Sequence, residues 1–91
     1  MLKISASKKF VKSITRYSKS GAFNQVLLQK IINQIKDEKV LDIGRRDHQL
    51  HGSLQEYREC HIQGDLLLMY KIDTVTKTLL LYNFGTHSEL F

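Results

Sequence analysis

His48, His51, His61 and His87 are the side chains of this sequence best suited to moving protons near neutrality, because imidazole ordinarily titrates at about 6.5. One of them lies in a run that reads as a strand, Tyr57 to Ile62. Alternation there puts Tyr57, Glu59 and His61 on one face and Arg58, Cys60 and Ile62 on the other. Glu59 and His61 are then about 6.6 Å apart along the strand. A carboxylate beside an imidazole orients the ring and favours its charged form, an arrangement suited to general acid–base catalysis. Spacing alone leaves two readings of His61 open, an acid–base group or a hydrogen-bonded surface histidine. His51 reads as a surface residue.

Other chemistries fit less well. The single cysteine, Cys60, points away from His61 and reads as a small buried side chain, which argues against a Cys–His nucleophile pair. His48-x2-His51 with Cys60-His61 lacks zinc spacing, since adjacent strand residues cannot converge on one ion. No metal and no other cofactor are expected. A lone cysteine forms no internal disulfide, which suits a reducing compartment. MLKISASKKF turns basic at once, without the apolar stretch of a secretory signal. No apolar run approaches the ~20 residues that span a bilayer. A cytoplasmic location is expected.

The elements that must position these groups follow from periodicity. A chain of 91 residues, 42% hydrophobic and 25% charged, suits one domain over residues 1–91 with one core. Leu2 to Ser5 alternates as a short strand. From Ala6 to Ser18 the pattern is helical: Phe10, Ile14 and Tyr17 form the apolar side, with Val11 beside them. Lys8, Lys12, Arg16 and Lys19 make a basic stripe opposite, either a solvated face or a binding one. Ser20-Gly21 ends that helix. Asn24 caps a second one, whose apolar face is Leu27, Leu28, Ile31, Ile32 and Ile35, and which ends near Lys36 to Lys39.

After a polar stretch, Asp42 to Gln55, the period changes to two. Strands are expected at Tyr57 to Ile62, Leu66 to Ile72 and Thr78 to Phe84, with short and therefore antiparallel connections. A three-residue turn, Gln63-Gly64-Asp65, would pair Ile62 with Leu66 and His61 with Leu67. It would place Leu66, Leu68, Tyr70 and Ile72 in the core and leave Asp65 close to His61. GTHSELF reads as one closing helical turn. The fold class is α+β: an N-terminal helical hairpin packed on one face of a small antiparallel β-sheet.

Charge is uneven. Residues 1–46 carry 11 Lys and Arg against 3 acids, and residues 47–91 carry 3 against 6, within a net charge of +5. The basic half invites a polyanion or an acidic partner protein. The acidic half cannot hold phosphates by charge alone, so its role there must be specific chemistry.

Four segments carry a resemblance: DHQLHG (Asp47–Gly52), YRECHI (Tyr57–Ile62), DLLLMYKI (Asp65–Ile72) and GTHSELF (Gly85–Phe91). In this order and at these spacings the sequence closely resembles the YafQ-like branch of the RelE/ParE superfamily of bacterial type II toxins. The resemblance implies a RelE-like fold and a ribosome-dependent endoribonuclease that cleaves translated mRNA and so inhibits translation. It also implies a cognate antitoxin, in a heterotetramer or larger complex, with the ribosome and mRNA as further partners and no membrane. His48 matches the histidine of D-H-x-L; Glu59 and His61 match R-[DE]-x-H; Asp65 matches the aspartate opening the next strand; His87 and Phe91 match G-[TS]-H-x-x-L-F. Many relatives carry arginine where Asn83 stands, and some carry tryptophan at the position of Leu66.

These residues suit metal-free RNA cleavage, which needs a base for the 2′-OH, an acid for the leaving 5′-oxygen and donors for the phosphorane. The resemblance thus gives His48, His61 and His87 the acid–base and phosphate roles, with Asp65 and Glu59 assisting and Phe91 stacking on a base. Lys71 and Arg58 are the cations that stand to compensate for Asn83, although Arg58 falls on the opposite face by alternation. Lys8, Lys12, Arg16 and Lys19 are expected to contact ribosomal RNA. Two other readings compete. One is a toxin of the same fold that binds protein, as the gyrase-inhibiting ParE branch does. The other is a non-catalytic RNA-binding module.

Overall fold

Local capping residues set where each helix starts. In the computed structural model, which describes residues 1–21 and 23–91, strand β1 (Lys3–Ala6) leads into Ser7. The Ser7 side chain accepts the Phe10 N–H at 3.1 Å, so helix α1 runs from Lys8 to Ser18 and not from Ala6. An otherwise unpaired donor of the first turn gains its partner that way. Gly21, at φ +75°, takes the left-handed conformation that a chain reversal after the helix requires. Asn24 then caps α2 (Gln25–Lys36) through the Leu27 N–H at 3.0 Å, as the sequence suggests.

Strands β2 (His48–Gln49), β3 (Arg58–Gln63), β4 (Leu66–Asp73) and β5 (Thr78–Thr86) follow, and α3 (His87–Leu90) closes the chain. The five strands form one sheet in the order β1-β5-β4-β3-β2. Three of the pairings are antiparallel; β1 joins β5 in parallel, the long crossover being supplied by everything between them. Both helices cover one face. Phe10 from α1 and Leu28, Ile31, Ile32 and Ile35 from α2 pack on Cys60, Ile62, Leu68, Tyr70, Leu79, Leu81 and Phe84.

Beyond Leu81 the strand β1 has ended, and α1 takes its place along β5. Ser7 donates from its N–H to the Leu81 carbonyl and from its hydroxyl to the Tyr82 carbonyl. Nearly two turns further on, the Ser13 hydroxyl donates to Asn83 Oδ1 at 3.2 Å. The basic helix is thereby fixed beside the half of β5 that leads to α3.

Several details differ from the sequence reading. The β3–β4 turn has two residues, Gly64 and Asp65, because Gln63 pairs with Leu66; Gly64 supplies the positive φ, +48°. A β-bulge between His61 and Gln63 absorbs the extra residue, so His61 still lies opposite Leu67. Leu66 is only partly buried and Ile72 is 37% exposed, whereas Leu67 and Met69 are buried on the face away from the helices. Leu50 is buried outside the helix-side core as well. Val11 is exposed and takes no part in the core. Among the described residues, no helix is long and apolar enough to cross a membrane.

Candidate active site

The outer face of the sheet holds an ionisable pair. β2 sets His48 opposite Glu59 on β3, and His48 Nε2 lies 3.4 Å from Glu59 Oε1. His48 Nδ1 lies 2.6 Å from the Arg46 carbonyl oxygen. Both neighbours of the ring are hydrogen-bond acceptors. The Glu59 side chain is only 5% exposed, and its Oε2 has no hydrogen-bond partner among the described residues. A buried polar atom left unpaired costs about 1–3 kcal/mol, and such an exception calls for an explanation.

His61 is half-buried on the same face, two residues along β3 from Glu59. From it a row crosses the sheet through Leu67 to Gly85, a span of about 10 Å over two strand spacings. One step nearer the end of the sheet, Leu66 pairs with Thr86. Asp65 and His87, both exposed, are the next residues beyond that pair on their two strands. The structure thus brings His48, Glu59 and His61 together on β2 and β3, with Asp65 and His87 at the same end of the sheet. Phe91 completes the group, its ring centroid 5.0 Å from that of His87.

The position of α3 depends on Glu89. Its carboxylate accepts from the Thr86 N–H at 2.8 Å, from Arg16 Nη2 at 2.6 Å and from the Tyr17 hydroxyl. The Thr86 N–H and then the Tyr17 hydroxyl hold the Glu89 carboxyl below the usual carboxylate range. Gly85 makes the contact possible, since a Cβ there would sit 2.8 Å from Glu89 Oε1.

Other expected residues lie elsewhere. Arg58 faces the helix side, with Nε 3.3 Å from Asp47 Oδ1. That corrects its expected place at the RNA, because it is on the wrong side of the sheet and already paired. Lys71 shares the outer face but stands four residues along β4 from Leu67, about 13 Å. Its ammonium is 3.6 Å from Glu56 and lies over the Tyr57 ring, so it does not stand in for an arginine at Asn83 beside the histidines. The basic stripe is not uniform either: Lys8, Lys12 and Lys19 are exposed, while Arg16 is tied to Glu89. His51 is exposed. Burial, and then the Asp47 charge, push the Cys60 thiol up to about 12, so it is not poised as a nucleophile. Among the described residues, no three His, Cys, Asp or Glu side chains gather as metal ligands would.

The sequence reading missed a stacked pair, Tyr57 and Tyr82, with centroids 4.5 Å apart and planes at 30°. Lys9 lies over the Tyr82 ring. A register irregularity opposite Met69 and Tyr70 leaves Tyr82 as the extra residue of β5.

A mixed sheet with two helices on one face and a short C-terminal helix at its end is the fold of known bacterial toxins. A metal-bound toxin from Helicobacter pylori superposes with a TM-score of 0.92 at 43% identity, covering 100% of both chains. YafQ in the Escherichia coli DinJ–YafQ complex superposes with a TM-score of 0.86 at 28% identity, covering 100% of this chain and 99% of that one. The chain belongs to the YafQ family, described as the bacterial toxin of a type II toxin–antitoxin system, whose sequence pattern matches residues 2–91. A Haemophilus influenzae YafQ toxin is 40% identical over 73 residues, 77% of this chain and 71% of that protein. The Escherichia coli K12 mRNA interferase toxin YafQ is 41% identical over 46 residues, about half of each chain (50% and 48%).

Proposed function

We propose that this toxin is an endoribonuclease that cleaves mRNA on the ribosome by metal-free acid–base chemistry. The observation that carries the reading is the Glu59–His48 pair beside His61: a buried carboxylate with one oxygen unpaired, on the strand that runs on past His61 towards the end of the sheet where Asp65 and His87 stand. One of these groups removes the proton of a ribose 2′-OH, and the 2′-oxygen attacks the adjacent phosphorus. The P–O5′ bond breaks, and a second, protonated imidazole gives its proton to the departing 5′-oxygen. The products are a 2′,3′-cyclic phosphate and a 5′-hydroxyl. His48, His61 and His87 share the acid, base and phosphate-contact roles, with Asp65 and Glu59 assisting. Phe91, 52% exposed, stacks on a base, a contact worth about 1–3 kcal/mol.

Named relatives support this reading. The Escherichia coli protein YafQ is called an mRNA interferase, and it is crystallised with DinJ as a toxin–antitoxin complex. A cognate antitoxin is therefore the protein partner we assign to this chain. Exposed Lys8 and Lys19 on α1 and just beyond it suit the ribosome's RNA, which a charge-led contact would make strongly salt-dependent.

The test uses purified protein with translating ribosomes, and follows mRNA integrity alongside DNA supercoiling. His61→Ala and His87→Ala should each slow cleavage by roughly 10²-fold or more, the usual worth of an acid–base group. Wild-type cleavage by both variants would defeat the reading. So would a change in supercoiling with intact mRNA, which would favour a protein-binding toxin.

A further inference from the structure

At the edge of β5, α1 and α3 enclose a cavity of about 410 Å³, lined by Lys9, Lys12, Ser13, Arg16, Asn83 and Leu90 among others. Glu89 lines it too, but that carboxylate is already taken by Arg16, Tyr17 and the Thr86 N–H. Lys12 has no ion pair among the described residues, and Lys9 has only the Tyr82 ring, 5.5 Å away. Lys9 and Lys12 therefore line the cavity without a carboxylate of their own. Asn83 Oδ1 accepts from the Ser13 hydroxyl at 3.2 Å and from the Phe84 N–H at 2.9 Å. Both bonds fix the amide with its oxygen inward, which leaves its NH2 as the donor. Two cations and a neutral N–H donor match a singly charged phosphodiester. They do not match a cation.

The cavity's place in the register makes that phosphate specific. Asn83 pairs with Met69, and Met69 with Glu59, so the cavity and the buried carboxylate lie in one row across the sheet. The Asn83 and Glu59 backbones are about 10 Å apart over two strand spacings. Of α3, Glu89 and Leu90 line the cavity, while His87 and Phe91 do not. We infer that this cavity binds an RNA backbone phosphate neighbouring the one that is cleaved, with Lys9, Lys12 and the Asn83 amide as its donors. An arginine at position 83 would put the charge on β5; here α1 brings it from the side. The inference rests on RNA being the substrate, but it concerns binding and is separable from cleavage.

The test titrates isotope-labelled protein with a 2′-O-methyl RNA oligonucleotide, which has no free 2′-hydroxyl and cannot be cut. The expected result is a shift of the Asn83 side-chain amide resonances on binding. Lys9→Gln combined with Lys12→Gln should weaken affinity roughly tenfold. It should also flatten the slope of log affinity against log salt by about 0.7 for each phosphate that the variant no longer neutralises. Binding is read with an RNA that cannot be cut, so failure of the cleavage reading would leave this result standing. Unchanged affinity and slope in the double lysine variant would overturn the inference. An Asn83 amide that responds to an acidic peptide and not to the RNA would overturn it too, and would mark the cavity as a protein interface.

Discussion

At the scale of single residues, Glu59 sets function against stability. Its carboxylate is buried with one oxygen unpaired, and the imidazole of His48 beside the other oxygen is half exposed. Replacing it by an apolar side chain of similar size removes an unsatisfied group and leaves behind only a histidine that water can solvate. Glu59→Met should therefore raise stability by about 1–3 kcal/mol, roughly 4–8 °C in Tm for each kcal/mol in a domain of this size, while cleavage falls. Thermal unfolding with a cleavage assay on the same preparation checks both halves; a variant of lower stability would show that the unpaired oxygen costs nothing. This residue also shows what the sequence carried. Alternation alone put Glu59 and His61 on one face. Its burial was not legible, because it depends on β2 bringing His48 alongside from a stretch that reads as irregular, and on Leu50, Leu67 and Met69 being buried on that face.

At the scale of elements, α3 is too short to hold itself in place and is tethered by Glu89. The sign of its pH dependence follows from the Glu89 carboxyl being held below its usual range by the Thr86 N–H and the Tyr17 hydroxyl. The unfolded chain binds this proton more readily than the folded one, so the tether is fully present above the ordinary glutamate pKa, about 4.3. It is lost as pH falls through the lower folded value. Hydrogen exchange at the Phe91 N–H, which donates to the His87 carbonyl at 3.1 Å, should show constant protection between about pH 5 and 8 and weaker protection in more acidic solution, by the same linkage. Gly85→Ala offers a second route to the same effect. Its Cβ collides with Glu89 Oε1, so α3 should loosen at neutral pH and cleavage should drop several-fold with the fold intact; unchanged cleavage would mean that α3 need not be held. Elements were the most legible part of the chain, since the Asn24 cap, the α2 face and three strands follow from periodicity. The misreadings were local. Ser7 capped a helix that propensity alone would start at Ala6, and a bulge at Ile62 shortened the turn while keeping His61 opposite Leu67. A bulge is a two-strand event, and one strand's sequence does not declare it.

At the scale of the whole molecule, the two halves divide the work. The basic N-terminal half folds into helices that bury the sheet's inner face, and α1 runs on past β1 along β5, bringing its cations to the outer end of the sheet. The cation-poor C-terminal half places its histidines and carboxylates there. The central claim is that these imidazoles and carboxylates transfer protons within a single phosphodiester, with the ribose 2′-oxygen as the nucleophile. End-group analysis of mRNA fragments released from toxin-treated ribosomes tests it most directly. The fragments should carry 5′-hydroxyl ends and 2′,3′-cyclic phosphates, with no cut where the cleaved nucleotide carries a 2′-deoxyribose. Fragments with 5′-phosphate and 3′-hydroxyl ends, or efficient cutting at the 2′-deoxy position, would contradict it.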